Sequence, residues 1–247
     1  MSDRILRAHN VPGITLVVAL SIAACGTSPP SSQTSPTATP RLLAGCIERT
    51  EGAQLIDFGI SSGDIIRGVT EGVGSTGVAL SNQSDEDLCG WASFAKLLAE
   101  KGYRVLLFNY RSGSPDQETA AAAEQLRILG AQRVFLIGAS KGAKSSLIAA
   151  TEIRPPVTGV VSLSAERLLL RTDVLPYAQR LTVPVLFVTA TNDEYGAADD
   201  TQALYGAAAS QDKQLMTVPG SDHGTALART STHSDVVARI LGFLSAH

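Results

Sequence analysis

The chain has 247 residues and a formal net charge of −3, with no basic stripe, so its composition excludes a nucleic-acid-binding surface. Arg4 and Arg7 precede an almost wholly apolar run over residues 14–24. That run is short for a membrane span and is typical of a secretory signal peptide. From Arg41 onward the chain is long enough for one domain with a single core.

The apolar run ends in Ile22-Ala23-Ala24-Cys25, which resembles the lipobox of bacterial lipoproteins. The resemblance implies a signal peptide over residues 1–24, a lipid on Cys25, and an anchor on the extracytoplasmic side of the bacterial cell membrane. The alternative is an ordinary signal peptide with a cysteine near its cleavage site. Residues 25–40 contain Ser, Thr and Pro but no large apolar residue, which predicts a disordered tether before a domain at 41–247.

Two further cysteines, Cys46 and Cys89, remain if Cys25 carries lipid. Outside the cytoplasm an even pair predicts a disulfide. It would join the segment before the first strand to the start of a helix. The alternative is two buried thiols that are too far apart to meet.

The predicted elements begin with two short strands and a Gly/Ser turn within residues 54–71, followed by a third strand at 76–83. Helical spacing of apolar residues then alternates with short apolar runs of the buried-strand type. The predicted helices are 89–102, 116–130, 141–152, 197–209 and 233–247, and the predicted strands are 103–110, 132–139, 157–165, 183–190 and 213–218.

This order predicts an α/β protein with a mostly parallel sheet of about eight strands and helices on both faces. The first hairpin would add antiparallel strands at one edge. In such sheets ligands bind beyond the C-terminal ends of the strands, so the residues that follow each strand are the candidates for a functional site.

The strand at 132–139 is followed by a stretch, "GASKGAKS" (residues 138–145), that has two readings. As Gly-x-Ser-x-Gly between a strand and a helix, it predicts a nucleophile elbow that exposes the hydroxyl of Ser140. As a phosphate-binding loop it lacks a glycine at Ala143 and is too short after the strand. The elbow is therefore favoured and a nucleotide partner is not expected. Lys144 and Ser145 become helix residues without an assigned function.

The motif also occurs at Gly59 to Gly63, which shows that Gly-x-Ser-x-Gly alone proves little. This second match falls in the predicted hairpin and no helix follows it. It is therefore interpreted as a turn.

A serine hydroxyl becomes an effective nucleophile only when a base takes its proton. Three histidines lie beyond the signal peptide. His233 precedes the last helix in a polar segment, and His247 ends the chain. His223 directly follows the last strand, in a glycine-bracketed loop that can fold back over the sheet edge, and is the predicted base.

The histidine in turn needs a carboxylate to orient it. Asp193 follows the strand at 183–190, which gives the order Ser140, Asp193, His223 along the chain. Glu194 is the nearest alternative, and Glu166, after the preceding strand, is a second.

An oxyanion needs fixed N–H donors. The backbone N–H of Lys141, directly after the nucleophile, is one predicted donor. The second should come from the loop after the third strand, where Gln83 is preferred and Asn82 is the alternative. The Lys141 side chain is expected to be solvated.

These motifs together resemble the α/β-hydrolase superfamily over residues 54–247: "GASKG", "ATND", "GSDHG" and "NYRSGS" each follow a strand. The last departs from the Asp-x-Arg-Gly-x-Gly loop of the family at Asn109 and Ser112, and "SNQ" replaces the common His-Gly start of the oxyanion loop. The resemblance implies acyl transfer from a small ester, thioester or amide through an acyl-enzyme on Ser140, without metal or cofactor. In that family Arg111 is structural.

The gap at 166–182 has room for one short helix, which predicts little or no cap and an open site. Leu168 to Leu170, Leu175 and Tyr195 are open to two readings, an apolar acyl site or ordinary core. The expected function is a membrane-tethered, extracytoplasmic serine hydrolase similar to carboxylesterases. The alternative is a non-catalytic cell-envelope binding or scaffold protein on the same fold.

Overall fold

The computed structural model describes residues 42–247, so the predicted signal peptide, Cys25 and the whole of the predicted tether lie outside the described residues. The strands are β1 (Gln54–Gly59), β2 (Ile65–Glu71), β3 (Thr76–Ser81), β4 (Arg104–Phe108), β5 (Arg133–Ala139), β6 (Gly159–Leu163), β7 (Leu168–Leu169), β8 (Thr172–Asp173), β9 (Val185–Ala190) and β10 (Lys213–Val218). The helices are α1 (Ala92–Glu100), α2 (Pro115–Ile128), α3 (Lys141–Glu152), α4 (Leu175–Ala178), α5 (Ala197–Ala207) and α6 (Ser234–Ala246), with 3-10 turns at Leu88–Trp91 and Gly224–Ala228.

The main sheet has eight strands in the order β1-β2-β4-β3-β5-β6-β9-β10. The strands from β3 to β10 in this sheet pair in parallel, while β1 pairs with β2 and β2 with β4 in antiparallel fashion. The predicted α/β class, strand number and antiparallel edge hairpin are confirmed. Gly59 to Gly63 lies in the β1–β2 turn, where the backbone N–H of Ile60 bonds to the carbonyl of Asp64 at 3.0 Å.

The helices cover both faces of the sheet because every central strand is apolar on both sides. On one face α2, α3 and α5 pack through residues such as Leu126, Leu147 and Leu204. On the other face α1 and α6 pack through residues such as Leu98 and Ile240. Helix α3 is buried along most of its length, directly beneath the C-terminal end of β5.

The segment between β6 and β9 contains the short helix α4, as predicted, and also the two-residue strands β7 and β8, which the sequence did not predict. Leu168 and Leu170 are exposed in this hairpin, whereas Leu169 is buried in the core. The apolar group considered for an acyl site is thus divided between surface and core.

Cys46 and Cys89 form a disulfide, with their Cα atoms 5.8 Å apart. The bridge connects the segment before β1 to the 3-10 turn that leads into α1, as the sequence predicted. A backbone bridge between Leu43 and Ile47 folds the bridged segment on itself.

Candidate active site

The turn between β5 and α3 is so tight that two glycines are required. A side-chain carbon on Gly138 would lie 2.1 Å from the carbonyl oxygen of Gly142, and one on Gly142 would lie 1.9 Å from that of Ser81. Ser140 stands between them with φ 49° and ψ −110°, a conformation that residues other than glycine seldom adopt. The predicted elbow geometry is therefore present at Ser140.

The Ser140 hydroxyl donates to Oε2 of Glu166 at 3.3 Å. The same carboxylate oxygen lies 2.7 Å from Nζ of Lys144, one helical turn after Ser140. Sequence analysis assigned no function to Lys144 and considered Glu166 only as an alternative partner of the histidine. The structure places both charges beside the nucleophile.

His223 and Asp193 are hydrogen-bonded to each other, with Nδ1 of the ring 2.8 and 3.0 Å from the two carboxylate oxygens. Both side chains are almost fully buried. The carboxylate also accepts hydrogen bonds from the backbone N–H groups of Tyr195 and Ala197. This pairing orients the ring and leaves Nε2 as the nitrogen available to a substrate.

Burial by itself raises the pKa of the Asp193 carboxyl, but hydrogen bonds from His223 and Ser164 outweigh it, so the pKa lies below its usual value. Asp193 is therefore ionised at neutral pH and stabilises a positive charge on His223. The ring of Tyr195 packs against the His223 ring, with centroids 4.5 Å apart.

Ser164, directly after β6, is a site residue that the sequence analysis missed. It is fully buried, its hydroxyl is close enough to Asp193 to lower the pKa of that carboxyl, and its oxygen accepts the backbone N–H of Gly224 at 3.1 Å. Its φ of 53° is a second positive value for a residue other than glycine at a strand end. Ser164 thus connects Asp193 to the loop that carries His223.

The histidine loop lies against the elbow. A side-chain carbon on Gly224 would lie 3.5 Å from Cβ of Ala139, the residue that precedes Ser140. Ser140, Asp193 and His223 therefore lie together at the C-terminal edge of the parallel strands, which we call the rim of the sheet. The Ser140 hydroxyl bonds to Glu166 and not to the ring of His223.

Two backbone N–H groups near Ser140 are available as donors. Neither Lys141 nor Gln83 donates its backbone N–H to a protein acceptor among residues 42–247. The side chain of Asn82 instead bonds to the backbone oxygens of Gln83 and Glu86, which stiffens the loop after β3. Gln83 lies in that loop and Lys141 begins α3, and their role as oxyanion donors stays a prediction.

The other candidates lie outside this group. Glu194 is exposed, and its backbone bonds to Ser221. His233 pairs with Asp222 at 2.7 Å, and His247 with Asp212 at 3.4 Å.

The Lys141 side chain was expected to be solvated, but in the structure it is partly buried. Its amine lies 4.4 Å from the centre of the Tyr110 ring, and partial burial lowers its pKa. The aromatic ring attracts the cation and keeps it beside the elbow.

The loop "NYRSGS" after β4 is built around buried Glu118, whose carboxylate accepts the backbone N–H groups of Arg111 and Ser112. Oδ1 of Asn109 accepts the backbone N–H of Leu88 at 2.7 Å. The loop is thus held by its backbone despite its two departures from the family pattern.

Between Leu42 and His247 we find no group of three or more His, Cys, Asp or Glu side chains arranged to hold a metal ion. Over the same residues, no helix has the length and apolar character needed to span a membrane.

Comparison with protein families gives a match over part of the chain. The family model for PhoPQ-activated pathogenicity-related protein matches residues 159–244, which include Asp193 and His223 but not Ser140. No curated protein matches the chain.

Three solved structures illustrate the similarity of fold. An esterase, Pf2001, from Pyrococcus furiosus has a TM-score of 0.70 at 14% identity, over 78% of this chain and 92% of its own. Dienelactone hydrolase from Anabaena variabilis has a TM-score of 0.67 at 16% identity, over 79% and 99%. Monoacylglycerol lipase from Paleococcus ferrophilus has a TM-score of 0.63 at 15% identity, over 74% and 99%. The chain has the α/β-hydrolase fold that these structures share.

Proposed function

We propose that this protein is a serine hydrolase that cleaves a small ester, thioester or amide through an acyl-enzyme on Ser140, most simply a carboxylesterase. The observation that carries the proposal is the gathering of three groups at one rim: the strained elbow at Ser140 and the buried Asp193–His223 pair. Esterases and lipases among the structures of similar fold support the same reaction class.

In the proposed reaction Ser140 Oγ attacks the carbonyl carbon while Nε2 of His223 takes the hydroxyl proton. The ionised Asp193 stabilises the imidazolium that forms. The carbonyl oxygen becomes negative and is held by the backbone N–H groups of Lys141 and Gln83. His223 then gives the proton to the leaving alcohol, thiol or amine, and a water molecule repeats the sequence to release the acid.

The resting hydroxyl bonds to Glu166, so Ser140 must rotate about its Cα–Cβ bond before His223 can take the proton. The strained backbone restricts the positions that Oγ can reach. A bound substrate that occupies the space next to Glu166 would favour the rotated position.

We further propose that the protein is exported and held at the bacterial cell membrane by a lipid on Cys25. The Cys46–Cys89 disulfide supports export, because such bridges persist outside the cytoplasm. Replacement of Cys25 by alanine should release the protein from the membrane fraction. Unchanged fractionation would contradict the anchor but not the hydrolase activity.

A fluorophosphonate probe tests the catalytic proposal, because it reacts covalently only with an activated serine. The soluble domain, residues 41–247 without the signal peptide and tether, should gain one adduct. Ser140→Ala should gain none, whereas Ser145→Ala, in the helix that follows Ser140, should still react. Absence of labelling in the wild-type protein would favour the alternative, a binding or scaffold protein on this fold. A panel of aminoacyl amides and nitrophenyl esters separates peptidase from esterase activity.

A further inference from the structure

Two charged side chains lie beside the nucleophile and have no part in the Ser-His-Asp mechanism. Oε2 of Glu166 is 3.3 Å from Ser140 Oγ and 2.7 Å from Lys144 Nζ. The Lys144 side chain is only 9% exposed, whereas that of Glu166 is 30% exposed. The ammonium is therefore enclosed by the protein, and the carboxylate remains accessible at the rim.

The stability of the fold does not explain this pair. A buried ion pair contributes little compared with apolar side chains of the same volume. Lys144 also lies in the first turn of α3, where the helix dipole disfavours a positive charge. The positive charge of Lys144 therefore lowers stability unless Glu166 compensates it. This cost indicates that Lys144 serves to hold Glu166 in place next to Ser140.

The pair lies within reach of a bound acyl group. An attacked carbonyl carbon sits about 3–3.5 Å from the nucleophile. Oε2 of Glu166 is 3.3 Å from the resting position of this Oγ. Rotation of the hydroxyl toward His223 moves Oγ by about 2–2.5 Å, so Oε2 is at most about 9 Å from that carbon. A hydrogen-bond donor on the second or third carbon of the acyl group reaches toward Glu166 across this distance. Oε1 of Glu166 forms no hydrogen bond or ion pair with residues 42–247, so it can accept such a donor.

The chemistry of a carboxylate defines the complementary group. An ionised carboxylate only accepts hydrogen bonds, so it pairs with a hydroxyl or an ammonium group. A plain alkyl chain would cover Glu166 without replacing its water, which is unfavourable for a charged group. The leaving group must face His223, which protonates it. Glu166 bonds to Ser140 and not to His223, so the hydroxyl or ammonium group that pairs with Glu166 belongs on the acyl part of the ester and not on the leaving alcohol.

We infer that Glu166, held by Lys144, forms a polar acyl subsite and that the preferred substrates are short acyl esters with a hydroxyl or ammonium group on the second or third carbon. The inference rests on the proposed function and names a substrate class for the same site. It also assigns a role to two residues outside the triad. The exposed Leu168 and Leu170 are not required for it.

The test compares matched substrates on the soluble domain: p-nitrophenyl butyrate and both enantiomers of p-nitrophenyl 3-hydroxybutyrate, each corrected for its rate of spontaneous hydrolysis. Wild type should hydrolyse one hydroxylated ester with a kcat/KM about 10-fold or more above that of the plain ester. The double variant Lys144→Met/Glu166→Leu removes both charges together, so it keeps the core filled and should abolish or reverse this ratio.

Glu194→Gln is the matched control, since it removes a carboxylate near the site that does not touch Ser140, and it should keep the wild-type ratio. Ethyl butyrate and 2-hydroxyethyl butyrate test the alcohol side, where the hydroxyl should give no gain that depends on Glu166. Equal kcat/KM for plain and hydroxylated acyl esters, or a ratio unchanged in the double variant, would overturn the subsite.

The hydrolysis rates and the fluorophosphonate labelling together distinguish a failure of the subsite from a failure of the proposed hydrolase function. If wild type hydrolyses both acyl esters without preference, the subsite is wrong and the hydrolase stands. If wild type hydrolyses neither and the fluorophosphonate probe does not react, the hydrolase proposal itself fails. Should the double variant unfold, Glu166→Gln replaces it; the neutral amide is a weaker acceptor and should lower the ratio at least threefold.

Discussion

The side-chain oxygen of Gln83 accepts a hydrogen bond from the backbone N–H of Thr225 at 2.9 Å, which joins two loops that are 142 residues apart in the chain. One loop contains the proposed oxyanion donor and the other carries His223. The amide nitrogen of the same side chain bonds to Asp85 at 2.8 Å. Gln83 therefore positions both loops, in addition to offering its own backbone N–H.

Replacement of Gln83 by leucine should lower the free energy of unfolding by about 1–3 kcal/mol, because the N–H of Thr225 is left buried without an acceptor. The turnover number on esters should fall by roughly 10- to 100-fold as the His223 loop shifts, although the backbone N–H at position 83 remains. Urea unfolding and ester kinetics measure the two effects. Gln117→Leu, on the exposed face of α2, is the control and should change neither.

Asp193→Asn should reduce kcat by roughly 10⁴-fold with little change in KM, because an amide no longer fixes the tautomer of His223 or stabilises its cation. Glu194→Gln should stay within a few-fold of wild type. Steady-state kinetics on one ester compare the two. Equal losses would mean that the pairing seen between Asp193 and His223 does not govern catalysis.

Two glycine-to-alanine changes should shift the free energy of unfolding in opposite directions. Gly142→Ala should destabilise the domain and reduce labelling of Ser140, because the added carbon would lie 1.9 Å from the carbonyl oxygen of Ser81. Gly206→Ala lies in α5 with nothing within 4 Å and should raise the free energy of unfolding by about 0.5–1 kcal/mol. Thermal unfolding of both variants checks the pair, and stabilisation by Gly142→Ala would contradict the tight elbow.

Stability should fall as the pH rises from about 4.5 to 7 because of Glu71. Its side chain is buried with Oε2 unpaired among the described residues, and burial raises its pKa from 4.5 to about 7. The folded state then binds more protons than the unfolded state between these values, so raising the pH favours unfolding.

Glu71→Gln should remove this dependence and be more stable than wild type by about 1–3 kcal/mol at pH 8, with little difference at pH 4. Urea unfolding at four pH values between 4 and 8 measures it. Glu124→Gln, an exposed carboxylate on α2, should follow the wild-type curve. A variant whose advantage does not grow with pH would refute the raised pKa.

Reduction of the Cys46–Cys89 bridge should lower the free energy of unfolding by about 4 kcal/mol, since the bridge closes a segment of 43 residues in the unfolded chain. Unfolding in urea with and without reductant measures the change. The double variant Cys46→Ser/Cys89→Ser should be insensitive to reductant, and the oxidised wild type should show two mass units less than the reduced form. Two alkylatable thiols without reductant would contradict the bridge.

The sequence predicted the main elements because each buried strand is a short apolar run and each helix has apolar residues at helical spacing. It also predicted that the loops of Ser140, Asp193 and His223 share the C-terminal edge of the sheet, since the order of strands determines which loops lie there; their catalytic role stays a prediction. The β7–β8 hairpin escaped prediction because two-residue strands have no period to detect.

The Lys144–Glu166 pair and Ser164 were missed for a different reason. Helix α3 is buried all round, so the sequence pattern does not show that Lys144 points toward a carboxylate 22 positions later. Ser164 resembles an ordinary small residue after a strand, and only its positive φ and its two partners distinguish it. Contacts of this kind follow from packing between elements, which local sequence does not specify.

The two ends of the described chain lie at opposite rims of the sheet. The Cys46–Cys89 bridge fastens the first segment next to the 3-10 turn at Leu88–Trp91, which follows the loop of Gln83 at the rim that carries Ser140. Helix α6 ends at the opposite rim, where the parallel strands begin. There His247 pairs with Asp212, the residue just before β10. For immobilisation on a biosensor or a resin, a C-terminal tag therefore leaves the rim of Ser140 open, whereas direct coupling at residue 42 places the support at the same rim.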